Sequence, residues 1–336
     1  MWSLTFLKRL IPMALIAVLA TVAGCSGSQA QQTATESSFT EQGEFSADSA
    51  YTYIMRQVDC GPRVPGSSAH AACVDFLTAT LGRLGATDIQ VSDGKATRWD
   101  GVVVPVRNIF ARVNPDASTR ILLVSHYDSR PWADHDPDSA LRQQPIDGAN
   151  DGASGVGVIL EIVRALAANP AGVGVDVLFT DAEDGGAPEW AATGMDDGWC
   201  LGSRYFAENL PYDAARPLPR YGILLDMVGA PGAKFLQEYY SVNGAPRATA
   251  RVWNTAARMG LADRFPTRVG GAINDDHLPL IAAGIPTTDI IHTEPAGATG
   301  FGPTWHTHYD NSDNIDRETL DIVGRVVLNT IYSEQP

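Results

Sequence analysis

The run Val175-Asp-Val-Leu-Phe-Thr-Asp-Ala-Glu-Asp-Gly-Gly186 decides how the rest of the chain is read. Its first half is apolar and β-branched, the composition of a buried strand. It then empties into Asp181, Glu183 and Asp184, followed by two glycines that let the backbone turn. Adjacent side chains leaving the end of a strand diverge, so Glu183 and Asp184 cannot both point the same way. One can bind a cation while the other stays free to move a proton. An acidic loop capping the next helix explains the same residues, and the stretch alone leaves both readings open.

Neighbouring segments repeat the pattern. The run Ile121–Ser125 reads as a strand covered on both faces and delivers His126-Tyr127-Asp128-Ser129. Tyr221-Gly-Ile-Leu-Leu-Asp226 is another buried strand ending in a carboxylate, and Thr287–His292 is a fourth candidate. Three more are expected at Ile89–Val91, Val102–Val113 and Phe235–Ser241. Helices are expected from a Ser46 cap to about Val58, and from a Ser67 or Ser68 cap through Cys73, Leu77 and Leu81. Others are expected over Ser203–Asn209 and Ala245–Met259, from about Arg317, and opening from Gly148-Ala-Asn-Asp151-Gly to carry Val158, Ile159, Ile162, Val163 and Leu166. Asp151 stands just before this last helix, where a capping role would suffice to explain it.

Strands alternating with helices mean an α/β sheet, with ligands beyond the carboxyl ends of the strands. His126, Glu183, Asp184 and Asp226 all lie there. No Gly-x-Gly-x-x-Gly follows a first strand and no Gly-Lys-Ser/Thr loop occurs, which leaves nucleotide binding without support. Asp134-His-Asp-Pro-Asp138 lacks the Gly and Glu of a calcium loop, so the segment Arg130 to Gly148 is expected to be a solvated loop.

The formal net charge of −15 shows no basic patch to neutralise phosphates, so nucleic acid is excluded as a partner. At the N-terminus, Lys8 and Arg9 precede an apolar run from Ile11 to Ala23. It is too short to span a bilayer comfortably and has the form of a secretory signal. Val22-Ala23-Gly24-Cys25 resembles the lipobox of bacterial lipoproteins, which implies cleavage after residue 24 and lipidation of Cys25. Residues 1–24 are thus expected to be a signal peptide, 25–46 a disordered tether and 47–336 a single catalytic domain. The expected location is a membrane-anchored lipoprotein in the periplasm or at the cell surface, with the membrane met only through that lipid. Export into an oxidising compartment makes a Cys60–Cys73 disulfide possible and leaves Cys200 as a buried thiol; spacing proves neither.

Six motifs, in order, carry a family resemblance: His126-Tyr-Asp-Ser, Gly148-Ala-Asn-Asp151, Phe179-Thr-Asp-Ala-Glu-Asp184, Leu225-Asp226-Met-Val-Gly-Ala, Asp275-Asp-His-Leu-Pro and Trp305-His306-Thr. Together they resemble the zinc-dependent glutaminyl cyclases of the co-catalytic zinc aminopeptidase superfamily. The resemblance implies a three-layer αβα sandwich around a central mixed, mostly parallel twisted sheet. It implies one Zn2+ held by Asp151, Asp184 and His306, an open ligand set of the catalytic type. The implied reaction is cyclisation of N-terminal glutamine to pyroglutamate with loss of ammonia, on peptides or proteins bearing Gln, by a monomer. Glu183 would shuttle the proton, Asp226 would orient the α-amine, and Asp275 would share a proton with Asp226. Trp305 would donate its indole N–H or wall the substrate pocket, and Trp190 or Trp199 would cover the glutamine side chain, with a place in the core or a surface loop as the alternative for those two.

Two departures are visible. Many animal relatives carry Glu where this chain has Asp184, and animal cyclases place Ser where this chain has Gly152. The alternative from the same superfamily is a zinc aminopeptidase whose second metal uses His126 and Asp226, with Asp151 bridging. A lipoprotein that only binds peptide or metal is a third reading, and it has no use for Glu183, which holds metal in neither enzymatic scheme.

Overall fold

The structure, a computed structural model, describes residues 39–191 and 198–336. The expected signal segment, Cys25 and the first part of the expected tether lie outside the described residues. In chain order, helices α1 (Ala47–Val58) and α2 (Ser68–Arg83) precede strands β1 (Thr87–Val91), β2 (Gly94–Thr97), β3 (Val103–Val106), β4 (Ile109–Val113) and β5 (Arg120–His126). Helix α3 (Ala153–Ala168), β6 (Gly174–Thr180), α4 (Leu201–Glu208) and β7 (Gly222–Asp226) follow. Helices α5 (Tyr239–Gly244), α6 (Pro246–Arg258) and α7 (His277–Ala282), strand β8 (Thr287–Ile291) and helix α8 (Arg317–Tyr332) complete the order.

Six strands form one sheet in the order β1-β4-β6-β5-β7-β8. Neighbours β6, β5, β7 and β8 pair in parallel, while β4 runs antiparallel to β6 and β1 antiparallel to β4. All residues of β5, β6, β7 and β8 are buried, as expected where both faces are covered. Alternation along β5 divides the core: Ile121 and Leu123 join the cluster containing α1, α3 and α8 residues, whereas Leu122 and Val124 join Phe206 of α4 and Leu280 of α7. This is the expected three-layer sandwich. Parallel register sets His126 beside Thr180 and Asp226 beside Ile291, so the carboxyl ends of three strands open at one level.

The helix starts follow the capping chemistry in two places. Ser46 caps α1 by accepting from Ser49 N, and Ser67 caps α2 by accepting from His70 N. Elsewhere the structure corrects the expectation. The run 102–113 is two strands, because Asn108 leaves the ladder to bond Gly202 O and Asp181 N through its side chain; β2 and β3 then pair as a separate two-stranded sheet. The run 235–241 is no strand. Glu238 turns its carboxylate onto the amides of Tyr240 and Ser241 and starts α5, leaving isolated pairings of Phe235 with His292 and Gln237 with Val269.

Residues just before α1 already contact the fold. Gln42 N donates to Asn329 Oδ1 at 2.7 Å, Glu41 pairs with Arg325, and Phe45 fills the space over α8 that Gly324 leaves empty. Cys60 and Cys73 are free thiols rather than a disulfide. A hydrogen bond with Cys73 lowers the Cys60 thiol to about 7, against the burial that opposes it. Among the described residues no helix is long and apolar enough to cross a membrane.

Candidate active site

Strand β6 ends at Thr180, and the acidic run behind it is locked by backbone amides. Asp181 accepts from Arg107 N at 2.6 Å and from Ala182 N at 2.8 Å, and faces His70 Nε2 at 2.9 Å, so it supports the turn. Ala182 is left-handed (φ 52°), an uncommon state for a residue with a side chain and one that concentrates at functional sites. Cys200, Met227 and His306 share it (φ 55°, 48° and 55°), and all lie at this end of the sheet. Asp128 receives the amides of Glu183 and Asp184 at 3.1 and 3.2 Å. The two carboxylates then part. Glu183 Oε1 meets the Cys200 thiol at 3.3 Å, whereas Asp184 Oδ1 accepts from Arg130 Nη1 at 3.1 Å and lies 3.4 Å from His306 Nε2. Gly186 is required here: a Cβ would sit 1.8 Å from the Trp199 ring.

Asp151 is not a helix cap. Gly152 occupies that position at φ 96° with no side-chain bond, and the amides of Asn150 and Asp151 are held by Asp310 at 2.7 and 3.0 Å. The Asp151 carboxylate is thereby aimed away from its own helix. A side chain at Gly152 would press within 2.7 Å of Asp128 O, so this turn has no room for one. Ser154 hydrogen-bonds nearby, donating to Asn150 O and accepting from Val228 N.

Oxygens of Asp151 and Asp184 and a ring nitrogen of His306 lie within 4.8 Å of one another, and all three residues are buried. His306 Nε2 is 3.4 Å from Asp184 Oδ1 and 3.8 Å from Asp151 Oδ2. Ligands about 2.0–2.2 Å from a tetrahedral zinc stand roughly 3.4 Å apart, which these spacings match. Asp184 Oδ2 is buried with no hydrogen-bond partner among the described residues, an orphan that a cation satisfies. The residues therefore fit a zinc ion with two oxygens and one imidazole. Burial and the Asp184 charge push Asp151 up to about 6. Asp184 resists the same burial, because His306 and Arg130 hold its carboxyl below the usual range.

The segment 130–148 is not the solvated loop expected. Arg130, Asp134 and Asp136 are buried. Arg130 grips Asp134 through two bonds of 2.7 and 2.8 Å and reaches Asp184 with its remaining nitrogen. Asp134 Oδ1 in turn lies 3.2 Å from His306 Nδ1, placing a carboxylate beside the ring nitrogen that faces away from the candidate zinc position. Asp134→Asn is expected to weaken zinc binding about 10–100-fold, measured by competition with a chelator.

A second group shares Asp151. His126 Nε2 lies 3.1 Å from Asp151 Oδ1 and 3.2 Å from Asp226 Oδ1. Burial opposes charge on His126, but Asp128, Asp151 and Asp226 together raise its pKa well above the ordinary value. Asp275 Oδ2 is buried and, among the described residues, accepts no hydrogen bond. Burial and the charge of Asp226 push the Asp275 carboxyl far up, the condition under which it holds a proton toward a neighbouring carboxylate. Glu183 is also raised well above its usual range, first by burial; the His126 charge opposes, and those of Asp275 and Asp184 add.

Asp151, Glu183, Asp184, Asp226, Asp275 and His306 all line one cavity of about 300 Å³. Trp305 walls it, its ring 3.5 Å from that of His306 and packed on Phe301 at 4.6 Å. Trp199 lies parallel to His306 at 6.0 Å, with the Arg130 guanidinium 4.8 Å over its ring. Trp190 is the correction: it sits on a short 3₁₀ turn (Glu189–Ala191), 51 % exposed and outside the cavity. Asp128, Asp134, Arg130, Asp310 and Cys200 complete the site without having been assigned roles in it from sequence. Asp128 alone carried a signal, as part of the His126-Tyr-Asp-Ser motif.

Known proteins resemble this chain in sequence and fold. A glutaminyl cyclase of Tannerella forsythia has a crystal structure 46 % identical to this chain, with a TM-score of 0.83, covering 87 % of this chain and 99 % of the other. A Zn-dependent exopeptidase from Parabacteroides distasonis is 45 % identical, with the same TM-score and coverage. The glutaminyl-peptide cyclotransferase-like protein of Mus musculus is 28 % identical over 287 residues, 79 % of this chain and 70 % of its own. Residues 108–331, which span the sheet from β4 and nearly all of the site's supports, match Peptidase family M28, and the chain belongs to that family.

Proposed function

We propose that this protein cyclises the N-terminal glutamine of peptides to pyroglutamate and releases ammonia. The observation that carries this reading is Glu183, a buried carboxylate that faces the same small cavity as the Asp151–Asp184–His306 set yet stands outside that set. In the reaction a bond forms from the α-amine nitrogen to the γ-amide carbon, and the bond from that carbon to the amide nitrogen breaks. The first nitrogen must lose a proton and the second must gain one. Both nitrogens are attached to one carbon midway, so a single base beside it serves both. Glu183 takes the proton from the amine and returns it to the departing ammonia, a transfer typically contributing about 10²–10⁴-fold. Its raised pKa suits that exchange. Asp226 and Asp275, on the adjoining wall, receive the α-amine. Trp305, Trp199 and Phe301 exclude water and clamp the glutamine side chain. Zinc, when bound by Asp151, Asp184 and His306, supplies a Lewis acid for the γ-carbonyl.

One observation favours a second reading. His126, Asp151 and Asp226 also lie within 4.8 Å of one another, the inventory for a second metal and for a two-metal aminopeptidase, in keeping with the exopeptidase name of one relative. Incubating the zinc-loaded protein with glutamine-initiated and leucine-initiated peptides separates the two. Ammonia from the first supports the cyclase; free leucine from the second supports the peptidase. On the glutamine peptide, Trp199→Ala is expected to raise KM several-fold, whereas Trp190→Ala leaves KM within about twofold, because burial of an aromatic wall is worth roughly 1 kcal/mol or more.

We also propose that the protein works as an exported, lipid-anchored enzyme on proteins with exposed N-terminal Gln. What supports this is the sequence around Lys8, Arg9 and Cys25. Mass spectrometry of the membrane-extracted protein, seeking an acylated Cys25 at the mature N-terminus, tests it.

A further inference from the structure

Cys200 stands where α4 begins. Its amide donates to Glu183 O at 2.9 Å, and the amide of Leu201 donates to Ala182 O at 3.1 Å. These two bonds tie the start of α4 to the end of β6. Cys200 itself is left-handed (φ 55°) and fully buried, a conformation that holds its Cβ in one direction. That direction sets the thiol 3.3 Å from Glu183 Oε1. Among the described residues this is the one side-chain hydrogen bond that the Glu183 carboxylate makes. Asp275 completes a triangle in which one atom from each residue lies within 4.8 Å of the others.

We propose that Cys200 is a positioning residue for the proton shuttle: its S–H donates to Glu183 Oε1 and holds the carboxylate at one angle to the cavity. The other carboxylate oxygen is then left to meet the substrate nitrogens. The inference rests on the cyclase reading above. A thiolate is the alternative state of a cysteine, and it needs an electropositive setting. Cys200 has the opposite one. Burial keeps the proton on sulfur, and the charges of Glu183, Asp276 and Asp275 act in the same direction. It is a donor here, with no place as a nucleophile. A freely rotating Glu183 would spend less of its time in line with either nitrogen, so losing the tether lowers turnover more than binding.

The test uses the zinc-loaded full-length protein and a glutamine-initiated peptide. A thiol is a weak donor, but its acceptor is a catalytic carboxylate, so Cys200→Ala is expected to lower kcat about tenfold. KM stays within about twofold and zinc content is unchanged. Cys200→Ser, which restores a donor at the same carbon, is expected to recover kcat to within about threefold of the parent. A filling role alone predicts the reverse order, since alanine suits an apolar niche better than serine. Parental kcat in Cys200→Ala, a matching rise in KM, or Cys200→Ser no better than Cys200→Ala overturns the inference. Infrared spectroscopy gives a second reading on the parent fold. The S–H stretch lost in Cys200→Ala is expected to shift in Glu183→Gln, and an unmoved band also overturns it. A parent protein that releases no ammonia fails the cyclase reading itself, whereas an active parent matched by Cys200→Ala fails only this proposal.

Discussion

Glu183→Gln is expected to lower turnover by about 10²–10⁴-fold while zinc content and KM stay at parental values. The substitution keeps the shape of the side chain and an oxygen able to accept from Cys200, whose thiol lies 3.3 Å from Oε1. The amides of residues 183 and 184 still bind Asp128, so the turn is preserved. Only the proton-carrying function is removed. Glu183 is not in the Asp151–Asp184–His306 set, which is why the metal should remain. Turnover measured beside metal content separates the two jobs, and a Gln variant with full activity removes Glu183 from the mechanism.

The second large effect is loss of the metal. His306→Ala is expected to drop bound zinc from one per chain to near zero, and turnover to background. Three ligands hold a catalytic zinc, and taking the imidazole away leaves only two buried carboxylates beside each other. Asp184→Ala should do the same, with an added structural cost. Arg130 is buried and gives Asp184 one of its bonds, and breaking a buried pair is typically worth about 3–5 kcal/mol. Its fork to Asp134 softens that loss. His306→Ala leaves the Arg130 contacts intact, so it is the cleaner variant. Elemental analysis of both proteins, with thermal unfolding alongside, reads the difference.

Most of the site was legible because its ligands leave the ends of segments that announce themselves. Three parallel strands are largely apolar runs, broken in β6 by Asp176, and each empties into chemistry at its carboxyl end: His126, Glu183 with Asp184, and Asp226. What escaped the sequence acts at long range. Asp134 belongs to a polar stretch with no periodicity, and only its fork with Arg130, packed under His306, turns it from loop into support. Asp310 does its work on two backbone amides 160 and 159 residues away, a relation no local pattern carries. Trp190 and Trp199 lie close together in the chain and look alike in sequence. The choice between them is made by Gly186, whose missing side chain admits the Trp199 ring. The 235–241 run failed for a related reason: its strand-like composition was overridden by Glu238, a carboxylate that caps a helix and meets His277 at 3.1 Å.

The division of labour between Glu183 and Asp184 is tested most directly by the fate of one peptide. The zinc-loaded protein is incubated with a glutamine-initiated peptide, and the intact mass of the product is measured. This division predicts a peptide lighter by the mass of one ammonia, its N-terminus blocked. A peptide shortened by the whole glutamine residue, or one left unchanged, contradicts it.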